Sequence, residues 1–456
     1  MIKVHKQQYQ TEPFDISTLE SKVGESVTFS GIIQNFRQTK WGGFLTVRKL
    51  GKIIQVVLDG DTRVTHGGQT VGAETLLNES SITITGKVRS SSIKSPLVYF
   101  KTVEVAATGI DIVTLPEAHM PLDVNKAGDD TYKLDTKLDW RHVSLRNPKD
   151  IAVFKVMSEM VRFYGEYLRK NGFTQIFSPK IVAAGAEGGA NIFEFPYFDK
   201  TCFLAQSPQF YKQMSVAYFE RVFEIGPVFR AEKHATSRHL NEYVSLDVEM
   251  GFIKDHTDIM SLKVGLLQYI LNGLGETCAE EMKMFDAELP KLPDEVPSFT
   301  VAEIHEIIKR EYGVDNTHED DLNNEDERLI GEYVLKHYDS DFLFATHYPT
   351  RMRAFYSHTD PSDPEYTLTF DLIFKGRELT SGGQRMHDHT KFVEKIKQVH
   401  GMNPEAFNFY LDIFKYGMPP HGGFGMGLER LVMAFLGLTN IKEASLFPRD
   451  INRVVP

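Results

Sequence analysis

Short segments rich in Val, Ile, Thr and Phe follow one another through residues 1–110, separated by turn-forming residues. Ser26–Ile33, Gly43–Arg48, Ile53–Leu58, Ser81–Val88 and Val98–Val105 each have the length and composition of a β-strand. Five strands in that length predict either a small closed barrel or a small sandwich, and the pattern alone does not choose between them. The next stretch, Leu115–Asn147, carries Pro116, Pro121 and a polar run and predicts a hinge or linker. At Asn147-Pro148 the period changes. Val153, Met157, Met160, Tyr164 and Leu168 recur at helical spacing, Asn147 is the expected cap, and Gly172 the stop. Beyond it, strand patterns such as Arg221–Phe229 and Thr367–Phe374 mix with helical ones. One of these, Val301–Tyr312, starts after Thr300 and ends at Gly313. The acidic run His318–Arg328 predicts a solvated loop or helix start. The chain reads as α+β, in two or three domains for its 456 residues.

Composition narrows the class. Hydrophobic residues at 41% and charged residues at 25% are those of a folded soluble protein. No apolar run reaches the roughly 18 residues that span a bilayer, and the start of the chain lacks the layout of a secretory signal. Cys202 and Cys278 are the two cysteines. Neither a disulfide framework nor a metal spacing is expected from them, and a cytoplasmic location fits. The formal net charge of −11 argues against nonspecific polyanion binding, while leaving room for a local basic site.

Two segments carry candidate chemistry. Glu224–Met250 reads as strand, polar basic loop, strand, with Arg230, Glu232, Arg238, His239, Asp247 and Glu249 at the inner ends. Such a hairpin concentrates charges of both signs, as a ligand with phosphates and an ammonium group would require; each residue alone reads first as a surface ion pair. Tyr416–Met433 has glycines at 422, 423, 425 and 427, then a helical pattern with Arg430 in its first turn. Glycines there permit close backbone approach to a ligand. The segment matches neither a P-loop nor a dinucleotide fingerprint.

Taken together, these segments resemble motifs two and three of the class II aminoacyl-tRNA synthetases, and Asn171–Lys180, read as a strand, resembles motif one. The resemblance implies an antiparallel sheet flanked by helices over residues 148–456, a hinge over 111–147, and an oligonucleotide-binding barrel over 1–110. It implies activation of an amino acid with ATP, Mg2+ as cofactor, transfer to tRNA, and a homodimer through motif one. Arg230 and Arg430 are then the catalytic cations. Arg230, Glu232, Arg238, His239, Tyr243, Glu378, Gly427 and Arg430 are the ATP contacts, Tyr243 standing where relatives usually carry Phe. Asp371 and Glu378 are the metal ligands. Their separation of seven, 378 − 371, requires a turn or bulge near Lys375-Gly376 if both are to face one side.

Gln206–Gln213 resembles the aspartate and asparagine branch of this family, and Thr380–Asp388 its aspartyl members. On that resemblance Glu187, Ser207, Gln209, Lys212, Asp247, Ser381 and Arg385 contact the amino acid. Lys212 and Arg385 meet a side-chain carboxylate, and Asp247 takes the ammonium group. The implied partners are tRNA(Asp), ATP and aspartate, with tRNA(Asn) as a further substrate left open. Arg37, Phe44 and Gln55 would meet the anticodon, Phe44 by stacking; its other reading is barrel core. Gln34, Asn35 and Arg89–Ser95 bear on the breadth of tRNA choice, and Trp41 has no assigned role. The competing functions are asparagine–tRNA ligation, a paralogue that binds without aminoacylating, and tRNA-independent asparagine synthesis.

Overall fold

The computed structural model describes residues 16–40, 42–95, 97–129, 131–185, 191–234 and 236–456. The chain divides into two compact units, residues 1–151 and 152–456.

In the first unit, strands β1 (Ser26–Thr39), β2 (Gly42–Lys49), β3 (Lys52–Leu58), β4 (Arg63–His66), β5 (Gln69–Val71), β6 (Ser81–Ser90) and β7 (Val103–Thr114) form one sheet. Its order is β3-β2-β1-β6-β7-β4-β5. A parallel pairing of β3 with β7 closes β1, β2, β3, β7 and β6 into a five-stranded barrel of the oligonucleotide-binding kind. Ile33, Leu45, Val47, Ile54, Val56, Ile82, Ile84 and Val105 are fully buried in its core. Four expected strands occur, longer at their ends. The fifth differs: Val98 and Phe100 are buried as a plug, Val98 against Ile53 and Ile93, and the ladder begins only at Val103. Alternation there belongs to a packed loop, because the stretch Val103–Thr114 takes the place beside β6.

Residues 115–147 are more ordered than a linker. They hold two short helices, Leu134–Asp139 and Arg141–Ser144, over a small cluster of Leu122, Val124 and Val143. Buried Glu79 accepts from Arg48 at 2.8 Å and from Arg146 at 2.7 Å, tying this segment to the barrel. Gln34 sits at a bulge in β1 and bonds inward to Asn125 at 3.1 Å, so it is not an outward-facing reader. Asn147 caps the helix Pro148–Lys170, its Oδ1 accepting the Lys149 N–H at 2.8 Å, and Gly172 follows with φ +80°.

In the second unit, β8 (Thr174–Gln175), β12 (Arg221–Phe229), β13 (Glu242–Gly251), β14 (Ser298–Thr300), β15 (Phe342–Thr346), β16 (Thr369–Phe374), β17 (Arg377–Arg385) and β18 (His421–Gly427) form an eight-stranded sheet. Its order is β14-β15-β16-β17-β18-β13-β12-β8, antiparallel within and parallel only at its two outermost pairs. A small sheet of β9 (Ile181–Val182), β10 (Glu194–Tyr197) and β11 (Lys200–Leu204) lies beside it in sequence. The helices Pro148–Lys170 and His256–Thr277 pack their apolar faces on the large sheet through Val156, Tyr164, Leu266 and Phe424. Thr300 forms a full capping box with Glu303, and Gly313 ends that helix at φ +75°. The expected motif-one strand is only two residues long; beyond Gln175 the Glu224 carboxylate holds the chain through Ser178 N and Lys180 Nζ (3.2 and 2.5 Å). The acidic run is a helix start, from Asn324. It is not wholly solvated, because Asp326 is fully buried and bonded to Asn316 at 2.7 Å. Among the described residues, no helix is long and apolar enough to cross a membrane.

Candidate active site

One face of β13, β18 and β17 floors a cavity of about 360 Å³. Directly opposed residues in an antiparallel ladder project to the same side. Asp247 pairs with Gly425 and Gly425 with Ser381; Glu249 pairs with Gly423 and Gly423 with Gly383. The glycines of 421–427 are therefore not a turn but the central strand of the floor. A Cβ on Gly423 would stand 2.3 Å from a Glu249 carboxylate oxygen. Glycine at this position leaves the space that the carboxylates fill.

The expected contacts converge. Ser207, Gln209, Lys212, Arg230, Glu232, Arg238, His239, Tyr243, Asp247, Glu378, Ser381, Arg385, Gly427 and Arg430 all line this cavity. Glu187 and Trp41 lie outside the described residues. At one end stand Lys212 and Arg385, both buried. Lys212 Nζ donates to Asp247 Oδ1 at 2.9 Å and lies 3.5 Å from Glu249 Oε2. Arg385 Nε donates to Glu249 Oε1 at 3.1 Å. Backbone carbonyls of β18 take further donors, Phe424 O from Lys212 at 3.1 Å and Gly423 O from Arg385 at 2.9 Å. Two cations thus bracket two carboxylates, and the cations are adjacent through Glu249. Asp247, expected as an ammonium acceptor, already holds Lys212 and the Ser245 hydroxyl (2.5 Å) in this state.

At the other end β12 runs into the loop that bears Arg230. Asn241 builds that loop: its Nδ2 donates to Arg230 O at 2.7 Å, and Arg230 N donates to Asn241 O at 2.9 Å. The Arg230 guanidinium lies 5.9 Å from the Tyr243 ring centre. His239 is held below its ordinary pKa by burial, with Arg430, Arg230 and Arg238 pushing the same way. At neutral pH it is uncharged among three arginines, free to accept or donate one hydrogen bond without adding charge. Arg238 reaches Asn324 Oδ1, at the start of the acidic-run helix.

The two carboxylates Asp371 and Glu378 meet at a second cavity, which shares Arg353, Glu378 and Ser381 with the first. Lys375 and Gly376 form the turn between β16 and β17, with φ +48° and +70°, and the register slips after Leu372. Turn and bulge bring both groups to one small cavity of about 120 Å³, which opens beside the larger one. Burial and then the Asp371 charge raise the Glu378 pKa. Asp371 Oδ1 is buried without a hydrogen-bond partner. Crowded hard oxygens with an orphaned lone pair suit a magnesium ion. Among the described residues no group of three or more His, Cys, Asp or Glu could hold a metal ion, so further ligands would have to come from another source.

Several residues that shape this site have no role in the motif reading. Arg353 lines both cavities and pairs with Asp371 at 2.5 Å. Glu327 accepts the Glu378 N–H at 3.0 Å, and burial pushes its pKa up to about 7. Glu429 accepts the Val244 N–H through both oxygens at 3.1 Å, beside Tyr243. His421 is fully buried, hydrogen-bonded to Gln213 at 2.9 Å and Pro419 O at 2.8 Å. Burial lowers its pKa from 6.5 to about 4. A histidine buried neutral takes up its proton more readily when unfolded, so stability is full above pH 6.5 and is lost as pH falls towards 4. Denaturant midpoints between those values should drop more steeply for the natural chain than for His421→Gln; equal slopes would remove His421 as the cause.

On the barrel, Arg37 pairs with Phe44 and Thr46 with Gln55, which places Arg37, Phe44 and Gln55 on one outer face. Phe44 is 44% exposed, which excludes it from the barrel core. Gln55 donates to Glu104 at 2.7 Å.

Comparison with known proteins agrees with this geometry. The family "tRNA synthetases class II (D, K and N)" matches residues 133–451. An aspartate–tRNA(Asp/Asn) ligase of Aeropyrum pernix is 41% identical over 443 residues, covering 97% of this chain and 98% of that protein. One of Thermus thermophilus is 42% identical over 441 residues, covering 97% and 99%. The crystal structure of asparaginyl-tRNA synthetase from Pyrococcus horikoshii with asparaginyl-adenylate superposes with a TM-score of 0.87 at 30% identity, covering 98% of this chain and all of that one. With its cations and glycine strand set as the motifs require, and a family match over most of its length, this chain belongs to the class II tRNA synthetases of the D, K and N group.

Proposed function

We propose that this enzyme activates L-aspartate with ATP and transfers it to the 3′ end of tRNA(Asp), and to tRNA(Asn) as well. The observation that carries the reading is the common cavity of Lys212, Arg230, Arg385 and Arg430. In the first step the aspartate α-carboxylate attacks the α-phosphorus of ATP, the bond to the β,γ-phosphates breaks, and diphosphate leaves. Nucleophile and electrophile are both anionic, so the barrier is mainly repulsion and alignment, which fixed cations lower. Arg230 meets the α-phosphate and the attacking carboxylate, Arg430 and Arg238 the departing phosphates, and Tyr243 the adenine ring. Glu232, His239 and the Gly427 backbone line the nucleotide's path. Mg2+ entering with ATP would be held by Asp371 and Glu378 and would neutralise phosphate charge.

Lys212 and Arg385 receive the side-chain carboxylate, while Ser207, Gln209 and Ser381 border it. Asp247 has lone pairs left for the ammonium group after bonding Lys212 and Ser245. An asparagine carboxamide would leave cationic donors poorly matched in a buried site, a loss of about 1–3 kcal/mol. The two relatives named for tRNA(Asp/Asn) support the wider tRNA choice. The superposition on an asparaginyl enzyme favours the second reading, asparagine–tRNA ligation.

Amino-acid-dependent ATP–diphosphate exchange separates the two readings. Exchange with aspartate and little with asparagine is expected, and the reverse would overturn the assignment. Charging of purified tRNA(Asp) and tRNA(Asn) then tests the breadth. The enzyme is taken to work as a cytoplasmic homodimer through the Asn171–Lys180 region, where Phe177 is 81% exposed.

Exposed Phe44 supports an anticodon face with Arg37 and Gln55, since base–aromatic stacking contributes about 1–3 kcal/mol. Phe44→Ala should raise the KM for tRNA about tenfold or more and leave diphosphate exchange unchanged. Loss of both activities would mean that the substitution damages the fold.

A further inference from the structure

Arg353 stands at the partition between the two cavities, in the segment Thr350–Phe355, which bears none of the family motifs. Its guanidinium lies 3.5 Å from the Tyr348 ring centre and donates through Nη2 to Asp371 Oδ2 at 2.5 Å. Asp371 is 7% exposed, and its other oxygen, Oδ1, has no hydrogen-bond partner. The charged lining of the small cavity is otherwise acidic: Asp321, Glu327 and Glu378 line it with Asp371, and among the described residues Arg353 is the one cationic residue lining it. Stacking on Tyr348 fixes the cation from one side, and the pair with Asp371 fixes it from the other.

We infer that Arg353 is a positioning residue that acts as a built-in counter-ion to Asp371, weakening the pocket's hold on the divalent cation that accompanies ATP. The inference rests on the reading of Asp371 and Glu378 as metal ligands and goes beyond it. An arginine bonded to one oxygen of a ligand carboxylate withdraws negative charge from it and repels the arriving cation. It also aims the carboxylate, leaving Oδ1 as the open donor. The metal is then held weakly without nucleotide and depends on phosphate oxygens for the rest of its coordination. Weak binding of this kind lets the cation leave with diphosphate after each turnover.

The test is Mn2+ binding, followed by electron paramagnetic resonance in the presence of α,β-methylene-ATP, which does not undergo the activation step. Arg353→Met keeps an apolar stem against Tyr348 and removes the charge. It should tighten Mn2+ binding about tenfold or more, and Arg353→Lys should restore the natural value. Unchanged or weaker binding in Arg353→Met, with its melting temperature preserved, would overturn the inference. Should that variant prove unstable, the lysine variant decides: it keeps the cation and should bind Mn2+ as the natural enzyme does, and tightening in it would overturn the inference equally. Asp371→Asn separates the two layers. It should weaken Mn2+ binding; if it does not, the ligand assignment itself is wrong, whatever Arg353 does.

Discussion

Arg230→Ala should reduce aspartate-dependent diphosphate exchange by about 10³-fold or more while leaving the melting temperature nearly unchanged. A preorganised donor aimed at developing charge in a water-poor site is worth about 10²–10³ in rate. In the proposed mechanism Arg230 has the further task of screening two approaching anions from each other. The fold should tolerate its loss, because the Arg230 main chain itself holds the loop, its carbonyl and N–H both bonded to Asn241. Arg230→Lys should recover little, since an ammonium group cannot serve two anions in the forked geometry of a guanidinium. Exchange in Arg230→Ala within tenfold of the natural rate would remove this residue from the chemistry.

Much of the architecture was legible from local pattern. The caps at Asn147 and Thr300, the stops at Gly172 and Gly313, and the turn at Lys375-Gly376 are all statements about a few neighbouring residues, and the backbone honours them. The hairpin of β4 and β5 has a local signal too: Gly67 and Gly68, at φ +56° and +79°, sit between short β-prone runs. The stretch Val98–Lys101 misled because alternation records which side chains are buried, and a packed loop can bury alternate residues as a strand does.

The site was legible as a set of residues but not as a set of pairs. Motifs name Lys212, Asp247, Glu249 and Arg385, which lie on three separate elements. That Lys212 bonds Asp247, and that Glu249 joins Lys212 to Arg385, depends on how the helix Gln209–Phe219 meets β13 and how β18 aligns with both neighbours. Such registers are tertiary facts. The same holds for Arg353 and Glu327, which lie in segments without periodic or motif signals and reach the site only through packing. A helix start rich in Asp and Glu looks like solvated surface until Asp326 and Glu327 are found turned inward.

The buried pairing leads to the second large expected effect, in Lys212→Met. Met matches the lysine stem in length and removes the charge. In the natural chain Lys212 and Arg385 balance Asp247 and Glu249, two against two, and Lys212 is 2% exposed. Removing one partner of a buried ion pair typically costs about 3–5 kcal/mol, because the other charge stays buried. The variant should therefore melt lower and also lose aspartate activation by about 10²-fold or more, while binding ATP, which the proposed function places at the arginine end, nearly normally. A fall in activity alone would not distinguish lost substrate contact from a collapsed pocket. The double variant Lys212→Met with Glu249→Gln makes that distinction, since it restores the charge balance without restoring the cation. It should recover much of the lost stability and none of the aspartate activation. If aspartate activation returns along with the melting temperature, Lys212 is a structural counter-ion only, and selection of the acidic side chain must rest on Arg385.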